Sequence, residues 1–354
     1  MSALTTLSLS RLPVSFRPYH DETLTSWLSR AAAVYGCTFR ELLSTYNVFR
    51  PEWFEDVDYQ LTPLGSVVIQ ALVGGPMEQL QACTLATAYP HWLPRWISRP
   101  APLWHINEYR TVMVNAGLRP SVCLFCLTED LENDRSQYLR LSWLSSITTI
   151  CPIHFTPLVR CCSAYSPNSL AHGNDWSQDG RMRCTVCRSS FDRCHGPAES
   201  ESLFAIARLE CLLRAALAGN RIVNLGDRYL SGQSLLLFVE DVTWALMQPV
   251  VGTQFRVLHT AQTTEFRVPM GFNTPVSADH WMSCGPLEVR RAILAVLASL
   301  ILDTQTSSTL MSRCGRGRTF WKALKLLHCS EDRQAFKYRA ALWSPDLIDA
   351  VDFY

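Results

Sequence analysis

Cysteine and histidine pairs constrain the fold of this chain more than any other feature. One pair is Cys123-Leu-Phe-Cys126 and another is Cys151-Pro-Ile-His154. A gap of two residues lets a tight turn point two side chains at one ion, and two such turns complete the tetrahedral set that structural zinc requires. We therefore predict a zinc site made of Cys123, Cys126, Cys151 and His154. Because four protein ligands leave no open position for water, the site is predicted to be structural.

A second group of cysteines lies further along the chain. Cys184-Thr-Val-Cys187 repeats the two-residue gap, and Cys162 stands upstream of it. These three residues predict a second zinc site, so the chain is expected to hold one zinc ion or two. The alternative is a ribbon that has lost its metal and is held by aromatic packing. Candidates for the fourth ligand are Cys161, His172 and Cys194.

Composition favours metal binding over disulfide formation. The chain has 354 residues, of which 48% are hydrophobic and 18% charged, as in globular proteins. The N-terminal residues lack the charged and apolar regions of a signal peptide, and the apolar run 292–302 is too short to span a bilayer. A cytoplasmic location without membrane contact is therefore expected. Thiols stay reduced there, so clustered cysteines indicate metal.

The first part of the chain predicts two helices joined by a short turn. Leu24, Trp27 and Leu28 fall at helical spacing, and Gly36 is a suitable stop. Thr38 and Glu41 form a capping-box pattern that starts the second helix. This pattern predicts a helix-turn-helix-like corner with Trp27 and Leu28 buried. Two packed core helices without any nucleic-acid contact are the alternative. Two arginines are expected to point to solvent, namely Arg30 and Arg40.

The sequence of the C-terminal part predicts several helices. Leu203, Ile206, Leu209, Leu213 and Leu217 line one face of a predicted helix. Further helices are predicted over about 234–247, 286–302, 318–328 and 333–350, with a short hairpin between 255 and 269. The fold class is therefore mainly α with small zinc-ribbon β elements. The predicted domains are an N-terminal helical domain over 1–118, tandem zinc ribbons over 119–198 and a C-terminal helical domain over 199–354.

One stretch is strongly basic, although the chain as a whole has a formal net charge of +1. Cations, glycines and two aromatic residues alternate there without an acidic residue, which suits contact with phosphates or a partner. A solvated helix face is the alternative. The cations are Arg313, Arg316, Arg318, Lys322 and Lys325.

No catalytic residue is predicted. The chain has no phosphate-binding glycine loop, no G-x-S-x-G motif and no H-E-x-x-H motif. Isolated cysteines such as Cys37, Cys83 and Cys211 are interpreted as small core residues. A zinc-dependent or cysteine-dependent enzyme is the weaker alternative.

The order of the motifs resembles that of the TniQ family, which includes the TnsD-type target selectors of transposons. The pattern P-Y-x-D-E-x-L-x-S-W-L-x-R runs from Pro18 to Arg30, and C-x2-C and then C-P-x-H follow it. A leucine, Leu158, comes four residues after the histidine. The resemblance covers about residues 16–190. The chain departs from the family pattern after Cys162, where the expected next cysteine is absent.

The resemblance implies a non-catalytic transposition adaptor with a helix-turn-helix domain, tandem zinc ribbons and a helical C-terminal domain. Members of the family bring the AAA+ regulator TnsC, and through it the transposase, to target DNA. Some members bind, as a head-to-tail homodimer, to a CRISPR Cascade complex that carries its guide RNA. The short, nearly neutral chain favours this delegated recognition. The alternatives are a TnsD-like protein that binds its DNA site directly and a zinc-ribbon transcription factor.

Overall fold

The structure is a computed structural model, and it divides into two compact units. Helices predominate among the described elements of both units, and the strands form only short two-stranded ladders. The prediction of a mainly helical fold is therefore confirmed. The helix-turn-helix and zinc-ribbon assignments, and the predicted domain boundaries, stay predictions. The described residues are 12–13, 17–45, 58, 60–90, 121–145, 147–160, 174–184, 188, 190–191, 201–219, 222–224, 229–247 and 287–302.

The first unit combines N-terminal helices with two small ladders. β1 pairs with β2 and β3 pairs with β4, both antiparallel. In chain order its elements are α1 Leu24–Val34, α2 Phe39–Thr45, α3 Pro63–Val73, α4 Met77–Ala82, α5 Leu85–Ala88, β1 Ser121–Val122, α6 Leu124–Glu132, α7 Leu141–Leu144, β2 Val159–Arg160, β3 Asn174–Trp176 and β4 Met182–Cys184.

The two N-terminal helices that the sequence predicts are present as α1 and α2. The hydroxyl of Thr23 caps α1 by accepting a hydrogen bond from the Ser26 N–H at 3.1 Å. Gly36 takes a positive φ of 70° just after α1, a conformation that costs glycine little. Trp27 and Leu28 are buried in the core of this unit, which confirms their prediction.

Arg30 contradicts the prediction that it points to solvent. Only 6% of the residue is exposed. Its Nε donates to Glu22 Oε1 at 2.7 Å and its Nη2 donates to Glu22 Oε2 at 2.6 Å. The guanidinium also lies over the ring of Tyr19, 4.0 Å from its centroid. A carboxylate eight residues upstream thus neutralises a cation that periodicity alone places on the surface. The side chain of Arg40 lies outside the described residues.

The capping box at the start of α2 provides a modest test of the corner. The Glu41 N–H donates to Thr38 Oγ1 at 3.2 Å, and the Thr38 N–H donates to Glu41 Oε2 at 2.7 Å. Thr38→Ala removes the cap and should cost about 1 kcal/mol in the free energy of unfolding, measured by chemical denaturation. Thr38→Ser keeps the hydroxyl and should restore most of that loss. Equal stability of both variants and the wild type would contradict a stabilising cap.

In the second unit, the described residues form three helices, a hairpin and the segment 147–158. Its elements are α8 Glu201–Leu217, β5 Ile222–Asn224, β6 Tyr229–Ser231, α9 Gly232–Met247 and α10 Leu287–Ile301. The predicted apolar face of α8 is buried, and α9 and α10 fall close to their predicted ranges. The predicted helices 318–328 and 333–350 and the hairpin 255–269 lie outside the described residues. Within the part of the chain that is described, no helix has both the length and the apolarity to cross a bilayer.

Candidate metal centre

The first knuckle, Cys123 to Cys126, lies where a strand turns into a helix. Val122 of β1 pairs with Val159 of β2, and the next residue, Cys123, is the N-cap of α6. Cys126 follows in the first turn of that helix. Both cysteines are buried, with 1% and 0% exposure. A turn between two regular elements therefore fixes the direction of both thiols.

The second knuckle, Cys151 to His154, is a tight turn closed by backbone hydrogen bonds. The Phe155 N–H donates to the Cys151 carbonyl at 2.9 Å, and the Cys151 N–H donates to the Thr156 carbonyl at 2.8 Å. Phe155 takes a positive φ of 52°, which turns the chain back on itself. The His154 N–H points at Cys151 Sγ, 3.4 Å away. This N–H stabilises a thiolate, the form of cysteine that binds metal.

The two knuckles bring one ligand atom of each residue into a single cluster. The ligand atoms of Cys123, Cys126, Cys151 and His154 all lie within 4.8 Å of one another. Bond lengths of about 2.3 Å to sulfur and 2.0 Å to nitrogen put the ligand atoms of a tetrahedral zinc site roughly 3.5–3.8 Å apart. The Cys151 Sγ and His154 Nδ1 are 3.6 Å apart, which fits that spacing. Three thiolates and an imidazole can therefore hold a metal ion here.

A buried cation balances the negative charge of the cysteines. Arg140 is 6% exposed. Burial lowers its pKa, but Cys126, Asp130 and Tyr138 together outweigh this effect and hold the pKa above its ordinary value. A zinc ion bound by three thiolates and a neutral imidazole carries a net charge of −1. The charge of Arg140 therefore compensates the charge that such a centre would have.

Arg140 is itself held in place by several contacts. Its Nη1 and Nη2 donate to the Asp130 carboxylate at 3.2 and 3.0 Å. The guanidinium lies over the rings of Tyr138 and Trp143, with 4.2 and 4.8 Å to their centroids. Asp130 belongs to α6, the helix that carries Cys126. The cation is thus fixed relative to the first knuckle.

The residues of the N-terminal motif make one hydrogen-bond network. The Tyr19 N–H donates to Glu22 Oε2 at 2.8 Å, and Ser26 Oγ donates to Glu22 Oε1 at 2.8 Å. Asp21 accepts hydrogen bonds from the N–H and hydroxyl of Ser142, at 3.2 and 2.6 Å. These bonds connect the start of α1 to the start of α7, so the polar residues of the motif have structural partners. Their role is to join the helical corner to the segment that supplies Arg140.

Gln137 connects α6 to the β3–β4 hairpin through all of its polar groups. Its Nε2 donates to the Leu127 carbonyl at 3.0 Å, and its Oε1 accepts from the Met182 N–H at 2.7 Å. Its backbone N–H donates to the Gly180 carbonyl at 2.9 Å, and its carbonyl accepts from Trp176 Nε1 at 2.6 Å. The residue is fully buried. Sequence patterns gave no sign of this connection, because glutamine has no periodic or motif signature.

The predicted second zinc site lies largely outside the described residues. Of its candidates, only Cys184 is described, and it is buried at the end of β4. The Arg188 N–H donates to the Cys184 carbonyl at 2.8 Å, and Arg188 takes a positive φ of 58°. Trp176 and Phe191 are buried in the same unit. The second ion stays a prediction. The candidates outside the described residues are Cys161, Cys162, His172, Cys187 and Cys194.

The remaining site predictions concern the basic stretch and the isolated cysteines. The basic stretch around Arg316 lies outside the described residues. Cys83 is buried in the core, where burial raises its pKa to about 12, as expected of a core thiol. Cys37 packs partly against the same core. Cys211 is exposed on α8, so its interpretation as a core residue was wrong.

Two residues that support the second knuckle escaped the sequence analysis. Glu210 accepts hydrogen bonds from the Thr149 N–H at 2.8 Å, the Thr149 hydroxyl at 2.6 Å and the Ile150 N–H at 3.3 Å. Burial raises the pKa of Glu210 to about 7, although the Thr149 hydroxyl, Arg214 and the two N–H groups act against this. Arg291 donates to the carbonyls of Thr149 and Leu158. A carboxylate in the otherwise apolar face of α8 was the available signal.

Comparison with known proteins identifies the part of the chain that contains the centre. Residues 13–158 match the model of the TniQ family. The matched region runs from before the N-terminal motif to Leu158 and includes all four clustered ligands. Neither a curated protein nor a solved structure matches the chain.

Proposed function

We propose that this chain, whose residues 13–158 match the model of the TniQ family, is a non-catalytic adaptor in DNA transposition. It links recognition of a target to the AAA+ regulator TnsC and, through TnsC, to the transposase. The observation that carries the proposal is the coincidence of the family match with the metal cluster. The matched residues hold both the N-terminal motif network and the four ligands.

The metal of the proposed adaptor is zinc, held by Cys123, Cys126, Cys151 and His154. Three sulfur atoms and one imidazole nitrogen are a donor set typical of structural zinc sites. The burial of the three cysteines and the compensating charge of Arg140 support this assignment. Zinc supplies folding free energy at such a site by joining two turns that are distant in sequence. We expect it to hold the adaptor surface in shape rather than to act on a substrate.

The contacts of three carboxylates in the described part of the first unit support an adaptor rather than an enzyme. Glu22 is paired with Arg30, Asp130 with Arg140, and Asp21 with Ser142. A general acid or base has to reach a substrate proton, whereas these groups are occupied by structural partners. These three carboxylates therefore serve to connect elements.

Target choice in this proposal is delegated to a CRISPR Cascade complex with its guide RNA. The formal net charge of +1 supports delegation, since a protein that reads duplex DNA directly needs a surface that contacts several phosphates. The bound form would be a homodimer, as in relatives that ride on Cascade. Target DNA is then reached through the guide RNA and the AAA+ regulator.

Co-purification tests this proposal. The affinity-tagged full-length chain is expressed together with the subunits of a CRISPR Cascade complex, a guide RNA and a TnsC-type AAA+ regulator, and bound protein and RNA are identified. We expect guide RNA and Cascade subunits to be retained with the chain, and the AAA+ protein to be retained when ATP is present. The chain alone should bind duplex DNA weakly and without sequence preference, because its surface neutralises few phosphates. Charge reversal at Arg316 and Arg318 tests the basic stretch.

Direct recognition of DNA is the alternative that the same experiment can reveal. A TnsD-like protein would protect one defined DNA site at physiological salt, with tight binding and no guide RNA. A zinc-ribbon transcription factor would do the same at promoter DNA and would not retain the AAA+ protein. Either result would overturn delegated recognition, and the second would overturn the adaptor itself.

A further inference from the structure

The segment that carries the second knuckle is bonded to two helices of the second unit. On α8, Glu210 is fully buried, and its carboxylate accepts three hydrogen bonds from Thr149 and Ile150. These residues immediately precede Cys151. A carboxylate oxygen therefore holds the backbone on the N-terminal side of the knuckle.

The second helix, α10, holds the same segment at both of its ends. Arg291 Nη2 donates to the Thr149 carbonyl at 3.3 Å and to the Leu158 carbonyl at 3.0 Å. These two carbonyls flank Cys151 and His154 in sequence. One guanidinium thus fixes the separation between the two ends of the turn.

A third side chain supports the carboxylate. Arg214 Nη1 lies 3.7 Å from Glu210 Oε2 and donates to Thr148 Oγ1 at 3.3 Å. The charge of Arg214 offsets that of the buried carboxylate, which would otherwise be costly to desolvate. The hydrogen bonds given above from Glu210, Arg214 and Arg291 go to residues that flank the knuckle in sequence.

We propose that Glu210 and Arg291 are positioning residues of the metal centre, which hold the second knuckle in its metal-binding shape. This inference rests on the proposed zinc site. Groups that orient metal ligands without binding the metal typically change metal affinity by roughly 10–100-fold when removed. Here the orientation acts through the backbone that leads into and out of the turn. Metal binding is accordingly linked to the folded state of α8 and α10.

Zinc release tests the proposal. The full-length chain and its variants are loaded with zinc, and release to the chromogenic chelator 4-(2-pyridylazo)resorcinol is timed. Glu210→Met and Arg291→Met remove the hydrogen bonds while keeping much of the side-chain volume. We expect both to release zinc faster, on the order of 10-fold. Glu210→Gln keeps an oxygen that can accept from Thr149, and Arg291→Lys keeps a donor, so both should restore part of the loss.

Cobalt provides a readout that general destabilisation does not change. Co²⁺ bound in the cluster absorbs in the visible range with an intensity and position that depend on ligand geometry. The Met variants should show an altered cobalt spectrum while circular dichroism of the helices is retained. Thr243→Val is the matched control, since Thr243 is buried on α9 and its hydroxyl has no partner among the described residues. This control should release zinc at the wild-type rate.

The outcomes separate this inference from the proposed zinc site. If wild-type protein holds zinc and all four variants release it at the wild-type rate with an unchanged cobalt spectrum, the positioning role is wrong. If the Met variants fail to fold, Glu210→Gln and Arg291→Lys provide the test instead. Zinc release from both of them at the wild-type rate would overturn the proposal. Wild-type protein without any bound metal would instead overturn the zinc site itself.

Discussion

Purified full-length protein should contain at least one firmly bound zinc ion per chain, and Cys126→Ser should remove it. Zinc bound by a four-ligand cluster contributes about 10–16 kcal/mol of apparent binding free energy in small zinc domains, so its loss outweighs that of any single side-chain contact. Cys126 is fully buried, and a serine hydroxyl is a poor replacement for a thiolate ligand. We expect loss of metal and cooperative loss of structure, measured by elemental analysis and circular dichroism.

Cys211→Ser is the matched control for this result. Cys211 is an exposed free cysteine on α8 and is not a member of the ligand cluster. The control should keep the wild-type zinc content and the wild-type melting temperature. Zinc content well below one per chain in the wild type, or equal loss in both variants, would contradict a metal site at Cys123, Cys126, Cys151 and His154.

Arg30→Ala should destabilise the protein by about 3–5 kcal/mol, because it leaves the buried Glu22 carboxylate without its cation. The two side chains are 6% and 0% exposed and share a short bidentate ion pair. Chemical denaturation at saturating zinc measures the change in the free energy of unfolding. Arg30→Met combined with Glu22→Leu should cost less than Arg30→Ala alone, since no unpaired buried charge remains.

Arg17→Ala provides the control for charge removal in the same unit. The side chain of Arg17 is exposed, and substitutions at such positions usually change stability by no more than about 0.5 kcal/mol. Equal changes in the free energy of unfolding for Arg17→Ala and Arg30→Ala would contradict a stabilising ion pair. They would favour the solvent-exposed Arg30 that periodicity predicts.

Local sequence patterns correctly predicted that Cys123, Cys126, Cys151 and His154 lie together, and they correctly predicted several helices. The two-residue gaps at Cys123 and Cys151 restrict each pair to a tight turn, and the chemistry of zinc then requires both turns at one ion. The capping box at Thr38 and the apolar face of α8 likewise depend on residues within one or two helical turns. Such features are local, so the sequence carries them without knowledge of the tertiary structure.

The connections between these local elements could not be predicted. Arg30 is buried only because Glu22 reaches it from an extended segment, which follows a positive φ of 60° at Asp21. Glu210 meets partners about 60 positions away along the chain, at Thr149 and Ile150. Periodicity counts a charged residue as solvent-exposed unless its partner is known. Buried polar networks are therefore the part of this fold that cannot be predicted from a single sequence.

A targeted transposition assay tests the adaptor role most directly. A donor element, a transposase, a TnsC-type AAA+ regulator and a CRISPR Cascade complex are supplied with a guide RNA, and insertions at the guided site are counted. We predict that omitting this chain abolishes guided insertion, that wild-type protein restores it, and that Cys126→Ser does not while Cys211→Ser does. Guided insertion at the same site and frequency without this chain would contradict its role as the adaptor.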